Sequence, residues 1–267
     1  AVLAMGKYGG RELSFGSDLD LVLLYEVTGD ATVSDGPKPL GLARYFNGLG
    51  QTLIAAIDSL TTEGRLWEVD TRLRPSGQSG PLVVTVDRFA DYQETSAWTW
   101  EHMALTRARL VAGPGWLERR VETAIRTTLT RHRHDESLLP AVDRMRERLR
   151  SEFGTGNAWA VKHVRGGLVD IEFITQYLLL REGARKADIF TPRIDDCLES
   201  LVAAQALRPD QGDTLKRGYR LQQAVQSILR LTLTGAPDAA AFVPELKSVL
   251  CRVANEDGFE DLDTQLN

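Results

Sequence analysis

The sequence predicts an α+β chain: a small mixed sheet with helices over residues 1–115, then an all-helical bundle over residues 116–267. Two observations predict it. The first part changes its apolar period repeatedly, and from Trp116 onward the period is helical almost throughout. The length of 267 residues is enough for two domains, and 43% apolar with 26% charged residues is the balance of a globular protein.

In chain order, Val2–Met5 and Leu19–Tyr25 are continuous apolar runs of strand length. Leu42, Phe46, Leu49, Leu53, Ile57 and Leu60 recur at three or four residues and mark one face of a helix. "GRLWEVDTRLR" alternates in its second half, which places Asp70, Arg72 and Arg74 on one face of a strand. Arg74 borders Pro75, where a bend from the ideal pleat is expected. "PSGQSG" is a turn cluster and "PLVVTV" a further strand. Helices are expected over 116–131, 137–153, 168–181, 192–207, 210–233 and 244–253. Thr191 before Pro192 is a helix start with proline at the first helical position, and Gly235 with Pro237 stops the long helix before them.

Composition removes several function classes. A net charge of −5 argues against a polyanion-binding surface, so no nucleic-acid partner is expected. Cys197 and Cys251 lie far apart with no metal-type spacing, which indicates a reducing compartment and no disulfide framework. No apolar run reaches the roughly 20 residues that span a bilayer, and no basic segment followed by an apolar core opens the chain. A cytoplasmic protein without membrane contact is expected. The opening "AVLAM" already reads as a core strand, so the sequence is expected to be a fragment of a longer chain.

The chemistry concentrates in "GKYGGRELSFGSDLDLVLLYE", residues 6–26. Asp18 and Asp20 lie two apart on a strand and aim their carboxylates at one place, where they repel unless a cation lies between them. Magnesium takes hard oxygen ligands and suits a carboxylate pair joined by substrate phosphates. Asp70 offers a third carboxylate, and Arg72 and Arg74 offer guanidinium groups for phosphate. Gly9 and Gly10 allow backbone N–H groups close to a phosphate, and Ser17 adds a hydroxyl. Together these residues predict metal-assisted phosphoryl or nucleotidyl transfer, with two magnesium ions about 3.5–4 Å apart. An Asp-x-Asp pair alone is most often solvated. The glycine-rich approach and the downstream Asp-x-Arg-x-Arg segment shift the balance toward a site.

Other nucleotide motifs are absent. "GKYGG" carries its lysine before the glycines and is no Walker A loop, and no Gly-x-Gly-x-x-Gly or nucleophile-elbow frame occurs. His132 and His134 flank Arg133 and read as a solvated helix end.

Four blocks in one order carry a resemblance: residues 6–26, "EVDTRLRPSGQSGPLV", "FADYQETSAWTWEHMALTRARLVAG" and "GGLVDIEFITQYLLLR". They resemble the family of glutamine synthetase adenylyltransferase/adenylyl-removing enzymes, from Val2 past Arg181. The resemblance implies a nucleotidyltransferase domain of the DNA polymerase beta type over residues 1–115 and a helical domain over 116–267. "RPSGQSG", "DYQETSAWTWEH" and "DIEFITQYL" look like the C-terminal, adenylylating half of that family. Asp18, Asp20 and Asp70 match its metal-binding and catalytic carboxylates, and Gly9, Gly10 and Ser17 match its nucleotide-cradling loop. The implied reaction moves AMP from ATP to a tyrosine of glutamine synthetase and releases pyrophosphate, with glutamine and PII signalling proteins as regulators. Phosphorolytic removal of AMP, uridylyl transfer, and a regulatory module that binds nucleotide or PII without chemistry are the competing readings.

Two further features need partners or roles. The helix of "GGLVDIEFITQYLLL" is apolar nearly all round, so Asp170 and Glu172 need compensation, with Lys162, His163, Arg165 and the Arg72/Arg74 segment as candidates. A position against the active-site face and a structural salt bridge are the two readings of those acids. Trp98 and Trp100 read either as core or as exposed docking aromatics, with core favoured.

Overall fold

A computed structural model describes residues 1–266. The chain divides into two compact units, one of Ala1–His132 with Gly183–Ala187 and Thr191–Arg193, the other of the remaining segments from Arg133 onward.

The first unit is built on a mixed sheet. Its elements are β1 (Val2–Ala4), the short helical turn α1 (Gly6–Gly9), β2 (Leu19–Tyr25), α2 (Leu42–Ile57), β3 (Val69–Asp70), β4 (Val83–Thr85), α3 (Val86–Thr95), α4 (Thr99–Leu105), β5 (Arg109–Ala112) and α5 (Gly115–Leu129). The strand order is β3-β2-β1-β5, and β4 also pairs with β2. β1 runs antiparallel to β2 and β5, whereas β3 and β4 run parallel to β2. β3 takes the start of β2 and β4 takes its end.

The apolar run of β2 follows from its central place. Leu21, Val22, Leu23 and Leu24 are all buried, so the strand is covered on both faces. Full burial of each such side chain contributes about 1.5–3 kcal/mol. Helix α2 forms where its period predicts, and Leu42, Phe46, Leu53 and Ile57 of the expected face are partly buried around a buried Gly50, while Leu49 is exposed and Leu60 lies beyond the helix. A methyl at Gly50 would lie 3.0 Å from Leu23 Cδ1, so the helix rests on the sheet through its glycine.

The alternating segment does not continue as a strand. β3 ends at Asp70, and residues 72–76 form turns. The reason is local. The Asp70 carboxylate accepts from the Arg72 backbone N–H at 2.8 Å and from its Nε at 2.7 Å, curling the chain back. Arg74 Nη1 donates to the Thr71 carbonyl at 2.7 Å and to its hydroxyl at 2.9 Å. Helices α3 and α4 and strand β5 occupy a stretch for which the sequence reading assigned no elements.

The expected domain boundary lay at 115/116, whereas the first unit runs through His132 and so takes in α5. Leu117 and Val121 of α5 are buried, and Arg120 pairs with both Glu26 and Asp87.

The second unit is helical: α6 (Asp135–Phe153), α7 (Leu168–Glu182), α8 (Ile194–Ala203), α9 (Pro209–Thr232), α10 (Pro244–Ala254) and α11 (Phe259–Leu266). α8 begins at Ile194 rather than at Pro192, and α11 is an element that the apolar period did not reveal. One core joins Leu168, Ile171, Leu179, Leu201, Tyr219, Val225 and Leu250. Trp159 stacks on Phe259 at 5.0 Å and donates its indole N–H to Asp263 at 2.7 Å. Among the described residues no helix is long and apolar enough to cross a membrane.

Candidate active site

The site lies where β2 begins. Leu19 and Asp20 pair with Val69 and Asp70 across parallel strands, so the ladder itself sets two aspartates side by side. Asp18 precedes β2 and is exposed. It lines a cleft of about 580 Å³ together with Glu68, Asp70, Arg72, Arg74 and Gln78. Asp20 is half-buried, and its carboxylate lies against Gly6, which holds a left-handed φ of 51°.

Electrostatics tie these groups together. Burial, then the negative charges of Asp70 and Asp18, push the Asp20 carboxyl up to about 6, against the pull of Arg72 and Arg107. Asp70 goes the other way: burial would raise it, but its hydrogen bonds from Arg72 hold it below the ordinary carboxylate range. The structure therefore brings Asp18, Asp20, Asp70 and Arg72 into one charge cluster, with Arg72 paired to Asp70. Arg74 lines the same cleft, and its buried Nε has no hydrogen-bond partner among the described residues.

Among the described residues no group of three His, Cys, Asp or Glu side chains is already arranged around a metal position. The donor chemistry still fits a hard cation. The negative charges of Asp70 and Asp18 add to burial in raising Asp20, and Asp70 holds a guanidinium where a cation would serve.

The glycine loop is placed differently from expectation. The N–H groups of Gly9 and Gly10 donate to Met5 and Gly6 carbonyls at 2.7 and 3.0 Å, closing the α1 turn. Both residues are buried. Ser17 is buried as well, and its hydroxyl meets the Ser14 hydroxyl at 3.0 Å and accepts from the Ser14 N–H at 3.2 Å. These groups are already engaged within the segment that precedes Asp18.

Residues outside the sequence-based selection also contribute. Arg107 is buried, pairs with Glu12 and acts on Asp20. Its signal in the sequence was only one of two arginines in "LTRARL". Glu101 is buried, accepts from the Tyr92 hydroxyl at 2.9 Å and caps α4 through the Trp98 N–H at 2.8 Å. Trp98 itself is 71% exposed, which overturns the favoured core placement, while Trp100 is intermediate. His132 and His134 are exposed around the start of α6, as a solvated helix end requires.

In the second unit Asp170 finds its partner in Arg146, which the sequence reading did not consider, and accepts from the Gly166 N–H at 2.7 Å. Burial would raise Asp170, but the hydrogen bond from Arg146, aided by the Gly166 N–H, holds it below the ordinary carboxylate range.

A small mixed sheet whose central strand gathers aspartates at one end, joined to a helical part, defines an α+β protein of the nucleotidyltransferase-like class. The comparisons take this further. Residues 1–124 match the family model of glutamate-ammonia ligase adenylyltransferase. All 267 residues align at 41% identity with a bifunctional glutamine synthetase adenylyltransferase/adenylyl-removing enzyme of Xanthobacter autotrophicus. Relatives of the same description from Rhodopseudomonas palustris and a Bradyrhizobium species are each 40% identical over 100% of this chain. Along its whole length the chain is similar to enzymes of this adenylyltransferase family. It spans 27% of the length of each of these curated relatives.

Proposed function

We propose that the chain transfers AMP from ATP to a tyrosine hydroxyl of glutamine synthetase and releases pyrophosphate. The observation that supports it most is the convergence of Asp18, Asp20 and Asp70 at one end of β2, in a chain 41% identical to an enzyme named for this activity. In this reading the phenol oxygen gives up its proton to solvent water and bonds to the α-phosphorus, the bond to the β-bridging oxygen breaks, and the electron pair leaves with pyrophosphate.

Asp18, Asp20 and Asp70 would hold two magnesium ions, which would neutralise the triphosphate and favour ionisation of a hydroxyl whose pKa is near 10. The chain's own residues have separable roles. Arg74, with a buried Nε that lacks a partner among the described residues, is the better candidate for a phosphate oxygen, and Arg72 keeps Asp70 ionised. Asp70 so held accepts a proton poorly, which favours a binding role over that of base. Gly9, Gly10 and Ser17 shape the loop that presents Asp18. The motifs that resemble the adenylylating half favour transfer over removal, and regulation by glutamine and PII follows from the same resemblance. A cytoplasmic location is part of this reading.

The test is incubation with unadenylylated glutamine synthetase, magnesium and ATP labelled at the α-phosphate. Label on a synthetase tyrosine, lost with Asp18→Asn, is expected. No label from the unmodified chain under these conditions would overturn the reading. The relatives' names also carry an adenylyl-removing activity, which supports phosphorolytic removal as a second reading. Phosphate-dependent release of AMP from adenylylated synthetase would support that instead.

A further inference from the structure

The room that glycines leave in "GKYGG" is filled by the protein itself. A methyl on Gly6 would lie 3.1 Å from the Asp20 carboxyl carbon, one on Gly9 would lie 2.7 Å from the Ala4 carbonyl oxygen, and one on Gly10 would lie 2.9 Å from Arg107 Nε. Each of the three glycines therefore admits a neighbour. Gly6 admits Asp20, Gly9 admits backbone, and Gly10 admits a guanidinium. The Arg107 and Glu12 side chains, 5% and 7% exposed, form an ion pair. Two residues on, Arg109 donates to the Tyr8 and Gly9 carbonyls at 3.0 and 3.1 Å, satisfying groups that a helix end leaves open. A turn as short as α1 has little stability of its own. A buried ion pair is costly to assemble, so it is poor material for stability alone.

We propose that Arg107 is a positioning residue for nucleotidyl transfer: seated on Gly10 and paired with Glu12, it fixes the Gly6–Gly9 turn against which the Asp20 carboxylate lies. This rests on the function proposed above and assigns Gly10 to the arginine rather than to the nucleotide. A carboxylate displaced by a fraction of an ångström loses rate more than it loses substrate affinity, because chemistry is more sensitive to alignment than binding is.

The experiment is a double-mutant cycle of Gly10→Ala and Arg107→Met in the 267-residue chain, read as kcat, KM for ATP and melting temperature. Arg107→Met is expected to lower kcat by roughly 10- to 100-fold with KM for ATP within about twofold. Arg107→Lys should recover part of the rate. Gly10→Ala should lower kcat alone but add little on top of Arg107→Met, since the group it collides with is gone. A Gly10→Ala protein with intact kcat and raised KM, its effect adding in full to that of Arg107→Met, would overturn the proposal. Should Arg107→Met fail to fold, Glu12→Gln/Arg107→Met leaves no uncompensated buried charge. Recovery of melting temperature without recovery of kcat then supports positioning, and recovery of both overturns it. If the unmodified chain transfers no AMP, the proposed function fails separately. The melting-temperature cycle still decides the seat, with coupled losses supporting it and additive losses overturning it.

Discussion

Asp20 and Asp70 stand opposite each other on adjacent parallel strands, in register at the end of the β2–β3 ladder. Like charges set directly across a sheet destabilise it. Asp20 is pushed up to about 6, by burial first and by Asp70 next, and Asp70 is compensated by Arg72. The acidic cluster thus holds stability in reserve against a cation.

The first prediction follows from that cost. A carboxyl whose folded pKa lies above its unfolded value, here about 6 against 3.8, destabilises the fold once it ionises. The penalty is absent below about pH 4, grows between about pH 4 and 6, and is constant above, where it is at most about 2–3 kcal/mol. Asp20→Asn should therefore raise the melting temperature of the metal-free protein at pH 7 and change it little at pH 4. Magnesium should raise the melting temperature of the unmodified protein and leave the variant unchanged. Thermal unfolding across pH, with and without chelator, checks both.

Asp170 carries the opposite sign. Its folded pKa is depressed, because hydrogen bonds from Arg146 and the Gly166 N–H outweigh burial. Its stabilising contribution is present above the unfolded value of about 3.9 and is lost as pH falls through the lower folded value. Asp170→Asn should cost about 1–3 kcal/mol at pH 7, the worth of a charged hydrogen bond in a partly buried site. The difference from the unmodified protein should shrink below about pH 4. Denaturant unfolding at pH 7 and pH 3.5 measures it, and an undiminished difference at the lower pH would contradict the ion-pair account.

Gly50 offers a test of packing alone. A methyl there would sit 3.0 Å from Leu23 Cδ1 and 3.4 Å from Leu82 Cδ2, with Val83 closer still. Alanine normally favours a helix over glycine by about 1 kcal/mol. Here overpacking should reverse the sign, with Gly50→Ala destabilising by about 1–3 kcal/mol. Gly48 on the same helix has open space around it, so Gly48→Ala should stabilise. Urea midpoints of the two variants moving in opposite directions would establish α2's contact face.

What the sequence makes legible divides along physical lines. β2 and the long helices were readable because continuous or periodic apolar positions report burial directly. Asp18 and Asp20 were legible as a pair only by their spacing; Asp18 in fact lies just before β2, and its charge still reaches Asp20. The register of Asp20 with Asp70 was not, since pairing between distant segments leaves no local mark. Alternation failed after Asp70 because a side chain captured its own backbone two residues on, a choice that competes with the ladder without altering the apolar pattern. The Gly50 contact and the Arg107 seat were hidden for a related reason. A glycine shows that something comes close, and not what.

Arg72 bears on both stability and binding. Its side chain is 69% exposed but that of its partner Asp70 only 15%, so Arg72→Ala should lower the melting temperature modestly, on the scale of about 1 kcal/mol for a half-screened pair. The variant removes the bonds that hold Asp70 ionised and one positive charge facing the cleft. KM for ATP should rise severalfold, on the scale of about 1 kcal/mol for a solvent-screened contact to phosphate. Arg74→Ala removes a group whose buried Nε is unmatched in this structure, and its effect on KM should be the larger of the two. Steady-state kinetics on both variants, at two ionic strengths, checks the order. A larger effect from Arg72 would return the phosphate to that residue and leave Arg74 a purely local role with Thr71.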